Sequence, residues 1–422
     1  MDPLRLPVFR RLFAAYTVNE IGDSIALVAL ALLVYDETGS ALSTTALFLA
    51  TRFLPALLSP ALIAHADQHS LRTVLPLLYV GEGLAFVALA LLSEAFLLPA
   101  VLALGLIDGT LALAGRGLVR AAVAAALEPR GRLREGNAIM NVGFAVAAVG
   151  GAALGGVLVA GLGFAAALAV DAASFFLIAV LLATSRDLPR PSAEERQGLR
   201  ERLGSGLAFV RGHPTVRLLI GGQALALTFF TLIIPIEVVY ARETLGTGDA
   251  GFGALLSAWG AGIVVGSLIF IVAKRGAPLL LALTSTAAVA AAYVGMSLVD
   301  TLEAACALSV LGGIGNGVQW VAVMTALQAE TPMDLQARVV GLLESVAAAV
   351  SGAGFLIGGV LTSLTSPSTA YGVAGWGLLA LMALGVLALR GRGGWGGGEP
   401  AAAAYGLGAA EQAADPLSGR PG

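Results

Sequence analysis

Apolar residues run through the chain in stretches of about 20, the length that crosses a bilayer's hydrocarbon core, separated by short polar turns. This pattern predicts helices over 12–34, 43–64, 73–93, 97–120, 137–161 and 163–185. A second set is predicted over 217–239, 250–273, 277–299, 302–328, 338–363 and 368–390. Between the sets lies the one long polar segment inside the chain, "SRDLPRPSAEERQGLRERLGSGLAFVRGHPTVR", whose middle reads as an amphipathic surface helix. The expected organisation is a six-helix bundle over 1–185, an inter-bundle loop over 186–216 and a second bundle over 217–390. A tail over 391–422, rich in Gly and Ala, lacks a packable face and is expected to be disordered.

The two sets echo one another. "GDSIALVALALLVYDETGSALSTTALFL" and "TLIIPIEVVYARETLGTGDAGFGALL" each give an apolar helix, Val-Tyr, an acidic Gly-containing turn, then a helix rich in small residues. Repeats of this kind suit proteins that rock two bundles about a central site.

Composition agrees with a membrane solvent: 58% of the 422 residues are hydrophobic and 12% charged, against about 25% charged in soluble domains. Placement of the basic residues tests the helix count. Arg5, Arg10, Arg11, Arg72, Arg120, Arg130, Arg132, Arg134, Lys274, Arg275, Arg338, Arg390 and the arginines of the central loop fall on one side. The other side holds Arg242 and a row of acids. A miscounted helix would mix the two. The positive-inside rule then puts both termini in the cytoplasm of a multi-pass inner-membrane protein. No cleavable leader is expected from "MDPLRLPVFRR", and the single cysteine, Cys306, forms no disulfide framework.

Several stretches carry a family likeness. "TRFLPALLSPALIAHADQHSLR" resembles a loop 2–3 motif of Gly-x-x-x-Asp-Arg followed by basic residues. "EGNAIMNVGFAVAAVGGAALGGVL" resembles a helix 5 pattern, "VDAASFFLIAVLL" a helix 6 signature, and "TALQAETPMDLQARVVGL" a helix 10–11 junction. On these the chain is similar to the major facilitator superfamily over roughly residues 5–392. It looks most like the twelve-helix drug–proton antiporter branch that includes macrolide-efflux proteins and enterobactin exporters. The resemblance implies an all-α membrane fold of twelve helices in two pseudo-symmetric bundles, with both bundles lining a central cavity. The chain departs from the pattern at Ile63, Gln68 and Leu71 of the loop motif and at Gly151 of helix 5. A helix 4 arginine common in proton antiporters would fall near Gly105.

The candidate chemistry sits in the first bundle. In "NEIGDSIALVAL" Glu20 and Asp23 lie one turn apart on one helix face, with Tyr16 on the same stripe. An ionised carboxylate at that depth costs at least about 2.5–3.5 kcal/mol, so each acid is protonated, paired or facing water. Asp108 on helix 4 is similarly deep. These three are the proton-coupling candidates, with a structural hydrogen-bonding role as the alternative for each. Arg52 on helix 2 reads as their charge partner. Asp67, Arg72, Arg116 and Glu344 are expected in a cytoplasmic gate, the first three by resemblance to the loop 2–3 motif. Tyr16, Asn316, Gln319, Trp320 and Trp259 are candidates for lining the substrate cavity, with packing or lipid contact as the alternative for the aromatics. Glu82 on helix 3 is expected to be protonated and hydrogen-bonded, and Asp171 to be structural and near the outer surface.

The expected function is export of a small lipophilic or cationic, drug-like compound by proton antiport through alternating access, by a monomer that needs no cofactor. The alternatives are uptake of a small metabolite and, from another class, a polytopic membrane enzyme or a transport-dead sensor. No Gly-x-x-x-x-Gly-Lys-Ser/Thr run is present. The pair His65 and His69 about Asp67 sits in a short loop at degraded motif positions, so no metal site, enzyme activity or nucleic-acid partner is expected.

Overall fold

A computed structural model describes residues 3–66, 69–185, 188, 207–272 and 278–390. The first helix, α1, is Pro7–Thr38. α2 runs Ala41–Phe48, through a π-helical turn Leu49–Phe53, into Leu54–Ala66. α3 is Leu71–Leu92 and α4 Leu98–Leu127. The long helix Leu133–Ala183 breaks at Gly163, giving α5 over 133–162 and α6 over 164–183. α7 begins as Pro214–Ile233 and continues through short 3-10 and α-helical turns into a π-helical turn, Tyr240–Thr244. α8 is Asp249–Val272, α9 Pro278–Met296, α10 Leu302–Ala329, α11 Met333–Leu364 and α12 Pro367–Arg390.

Ten described helices are long and apolar enough to cross a membrane. Dividing the longest at Gly163 and adding the shorter α9 gives twelve, one for each span expected. The protein is a multi-pass, all-helical membrane protein with six helices on either side of the central segment.

Helix ends follow local rules. α1 stops where Gly39 takes the left-handed conformation (φ 57°) and its N–H caps Tyr35 O, a backbone state that costs glycine least. Ser40 then caps α2 by accepting from Ser43 N at 3.3 Å. Gly163 (φ 81°) turns the chain between α5 and α6 in one residue. Several helices overrun their apolar spans: α1 starts at Pro7, α4 continues to Leu127 and α11 starts at Met333. Hydropathy senses only the stretch within hydrocarbon, whereas a nucleated helix propagates into the polar flank at little cost. Of the expected amphipathic surface helix, only the end is described. It is helical over 207–212 and plants Val210 in an apolar cluster with Val216, Ile220, Leu327 and Val339. The tail over 391–422 lies outside the described residues.

Residues to Leu381 form one compact unit, and within it the two sets meet mostly toward the end that carries the α1–α2 turn. The hydrophobic cluster of the first set takes in Val238, Val239, Ala241, Phe252 and Phe355 from the second. Phe48 on α2 meets Phe355 on α11 edge-on, ring centroids 6.0 Å apart. α5 crosses α8 closely enough that a methyl on Gly253 would lie 2.6 Å from Ala152 O and 3.0 Å from Gly156 Cα. Ser257 Oγ on α8 donates to Val149 O on α5 at 2.9 Å. Polar groups tie the same end. Arg242 Nη2 donates to Asp36 Oδ2 at 2.7 Å and also pairs with Asp249, while the Tyr35 hydroxyl donates to Glu243.

Gly253→Val is therefore expected to lower the melting temperature of the purified protein measurably, since overpacking a close contact costs about 1–3 kcal/mol. Gly150→Val, where an added methyl meets nothing within 4 Å, is expected to melt near wild type. Equal melting of the two variants in a detergent-solution thermal ramp would show that the α5–α8 approach carries no stability.

Candidate functional site

Two small cavities lie inside the protein, one in each set. The larger, about 40 Å³, is enclosed by α1 to α4 and lined by Asp23, Leu27, Arg52, Phe86, Asp108 and Arg116 among others. At a minimum of about 10–15 Å³ per water it has room for a few waters or one polar head group. A charge inside a membrane is costly unless it is paired or wet, so four ionisable residues on one small cavity need an account of their partners.

α1 supplies Asn19, Glu20 and Asp23, within one turn and a little more. Glu20 is 5% exposed, and its Oε1 lies 3.7 Å from Arg116 Nη1. Asp23 is half-buried and accepts from Asn19 Nδ2 at 3.1 Å. From α4, Asp108 is 9% exposed and its Oδ1 has no hydrogen-bond partner among the described residues. α2 supplies Arg52 from its π-helical turn, and here the side chain is exposed. No acid comes within ion-pair distance of Arg52 among the described residues, so the expected charge partnership is a matter of shared cavity rather than direct contact. π-Helical turns recur at functional sites because the extra residue re-aims a side chain, and Arg52 occupies such a turn.

The geometry corrects several expectations. Arg116, expected in a gate at the chain-terminal end, reaches Glu20 and the cavity instead. The buried carboxylate of Glu20 draws the guanidinium inward. Asp67 lies outside the described residues. Arg72 and Glu344 are exposed and make no ion pair among the described residues. Tyr16 is 1% exposed and is not on the cavity. Its hydroxyl accepts from Arg120 Nη2 at 3.3 Å, and the guanidinium stands 5.9 Å from the ring centroid. Glu82, expected to be hydrogen-bonded, is fully buried with both carboxyl oxygens lacking a hydrogen-bond partner among the described residues. Asp171, expected near a membrane surface, packs against Gly22 beside Asp23 and accepts from Ser174 Oγ at 3.2 Å.

The second cavity, about 20 Å³, lies within the second set and is lined by Gln223, Phe230, Thr286, Asn316 and Gln319 among others. Gln319 Nε2 donates to Gln223 Oε1 at 2.9 Å. Asn316 and Gln319 thus share one cavity. Gln223 and Thr286 complete the group, and the amide in "IGGQALALTFF" was the available signal for the first. Trp259 does not line this cavity but stacks with Phe230 and Tyr293, each 5.6 Å away centroid to centroid. Trp320 is 39% exposed and lines neither cavity. The two cavities differ in kind: one holds charges of both signs, the other only neutral polar groups.

With the geometry in hand, comparison with known proteins is informative. The profile of a family described as "Transmembrane secretion effector" matches residues 1–391. An MFS-type transporter of Bacillus subtilis (strain 168), YfiS, is 24% identical over 411 residues, 92% of this chain and 95% of its own length. The enterobactin exporter EntS of Citrobacter koseri (strain ATCC BAA-895 / CDC 4225-83 / SGSC4696) is 31% identical over 335 residues, 76% of this chain and 78% of its own. Among solved structures, the nucleoside transporter NupG superposes with a TM-score of 0.71 at 12% identity, covering 90% of this chain and 99% of that one. A bacterial homologue of the iron transporter ferroportin gives 0.70 at 14% identity, covering 91% and 98%. The last two are likenesses of fold.

Arg116→Gln is expected to destabilise the protein by up to about 3–5 kcal/mol, because removing one partner of a buried pair strands the other. Glu20→Gln made in the same chain should recover part of that loss. Melting temperatures of the two single variants and the double variant decide the point. A double variant no better than Arg116→Gln alone would show that the 3.7 Å pair carries no coupling.

Proposed function

The chain belongs to the transmembrane secretion effector family of major facilitator transporters, and from that membership we propose that it exports a small lipophilic compound across the inner membrane in exchange for protons. That it is a membrane transporter rather than an enzyme follows from the family. Direction, coupling ion and cargo class are our reading.

One observation supports it most: Asp23, Asp108, Arg52 and Arg116 converge on a single cavity in mid-span. Carboxylates there can hold a proton or a cargo donor group, and not both at once. Competition of that kind is what exchange requires, since each species leaves when the other arrives. Arg116, beside Glu20, offsets part of the negative charge that the cluster carries when its acids are ionised. The excess of arginine at the end bearing the termini supports a cytoplasmic location for that end. In that orientation the close packing between the two sets faces outward, and the arrangement is the one that receives cargo from the cytoplasm. Cycling then requires the α5–α8 and α2–α11 contacts to part while the opposite ends close. The relatives whose printed names give a cargo include enterobactin exporters, which favours outward transport over uptake.

The test is proton movement in proteoliposomes carrying an internal pH dye under an inward-acidic gradient, challenged with a panel of lipophilic cations, macrolides and amphoteric amphiphiles. In wild type at least one compound is expected to dissipate the gradient. Asp23→Asn or Asp108→Asn is expected to abolish the effect, and Glu20→Gln to weaken it. Labelled compound that equilibrates without moving protons in wild type would overturn antiport and leave a facilitator.

A further inference from the structure

The charged cavity is not symmetric in what it offers a ligand. Its acids are engaged or withdrawn: Asp23 is half-buried and accepts from Asn19 Nδ2, and Asp108 is 9% exposed, while Glu20, off the cavity, pairs with Arg116. Its exposed ionisable group is Arg52, whose guanidinium meets no acid within ion-pair distance among the described residues. A counter-ion that merely held the bundle together would sit against its carboxylate. Arg52 instead stands on a π-helical turn with a planar fork of donors that makes no ion pair among the described residues. On the same cavity Asp108 Oδ1 is buried and accepts from nothing among the described residues. A buried polar group is rarely left so without a ligand or water to meet it, and Arg52 turns open donors toward the same space.

We propose that Arg52 is a specificity-determining residue that receives an acidic oxygen group of the cargo, while Asp108 receives a hydrogen-bond donor, an ammonium or hydroxyl, on the same molecule. The preferred cargo is therefore amphoteric rather than simply cationic. The cavity is sized for such a head group and not for a whole amphiphile, so the apolar body lies outside it. This rests on the export reading above, and it also supplies that reading with a consistent sign. The donor end competes with the proton at Asp108, as exchange needs, and the acidic end fixes orientation without competing.

The experiment uses the full chain in lipid nanodiscs and reads phenylglyoxal modification of Arg52 by peptide mass spectrometry. The probes are naphthylalanine, its methyl ester and its N-acetyl derivative, which carry both charges, the cation alone and the anion alone. Naphthylalanine is expected to slow modification of Arg52 about tenfold, the scale of a charge-assisted bidentate contact. The N-acetyl acid should protect less and the ester not at all. In Asp108→Asn the N-acetyl acid should protect as in wild type, and the advantage of the free amine should vanish. The inference fails if the ester protects as well as the acids or no acid protects. It fails equally if Arg52 resists phenylglyoxal as a sequestered counter-ion would. Binding is read here without proton flux, so protection by acids with no gradient collapse would sink antiport alone, and the reverse result would sink this inference alone.

Discussion

The constraint on which this protein turns is the cost of carrying charge through hydrocarbon. The first six helices bring Glu20, Asp23, Glu82, Asp108 and Asp171 into their interior and answer them with Arg52 and Arg116. The acids outnumber the guanidinium groups, so the charge of this set depends on how many protons it holds. Everything else in the set is arranged around that dependence. Gly22 leaves space for the Asp171 carboxyl, Asn19 donates to Asp23, and Arg116 turns inward along α4 to reach Glu20. A chain selected only for lipid solubility would have none of these groups, since replacing them by apolar residues is usually neutral or stabilising.

The second set meets the same constraint with fewer charges: Glu237 on α7 lies among the hydroxyls of Tyr293 and Tyr371. Its cavity is lined by the amide pair Gln223–Gln319 with Asn316 and Thr286 and is water-sized. Neutral amides hold fixed hydrogen bonds whatever the pH, while carboxylates exchange partners when a proton arrives. The division gathers most of the groups that can change state about the cavity of the first set and leaves neutral amides about the cavity of the second. In a transporter that rocks two bundles, such a division lets a proton event in one bundle alter its relation to the other without both having to respond.

What could be read in the sequence, and what could not, follows from the range of the signals. Twelve spans were legible because about 20 apolar residues between turns are a local fact, and the arginine asymmetry checks their count. Asp23 and Asp108 were legible as buried acids from depth alone, because 1.5 Å of rise per residue fixes depth. Which groups meet was not. Arg116 could serve the loop motif or Glu20, and periodicity does not say which neighbour a helix face addresses. Tyr16 shares a stripe with Glu20, yet Arg120 covers it, a contact between residues 104 positions apart. The exposure of Arg52 depends on a π-helical turn, which adds about one residue to the turn and rotates everything beyond it. No hydropathy pattern carries that information. Gln223 was visible as an amide among apolar residues, but its partner on α10 had to be seen.

Magnitudes decide what holds the two sets together at the α1–α2 end. The bridge from Arg242 to Asp36 joins side chains 22% and 35% exposed, and partly exposed pairs contribute about 0–1 kcal/mol each. The α5–α8 crossing instead excludes water along Gly156, Gly253 and Ser257, where close backbone approach adds dispersion over many atoms. Closure is therefore set by the packed faces, and the Arg242 contacts set register. Arg242 also holds Asp249 on its own side of the interface. Parting the sets leaves the guanidinium with one carboxylate rather than none, and the cost of opening stays small. Under the exchange proposed above, proton and cargo at the cavity near α1 and α4 need then supply only a few kcal/mol of differential binding, since about 5.5 kcal/mol moves a two-state equilibrium from 1:99 to 99:1. A stronger latch at the α1–α2 end would fix the protein in one state, and a weaker face would let both ends open together.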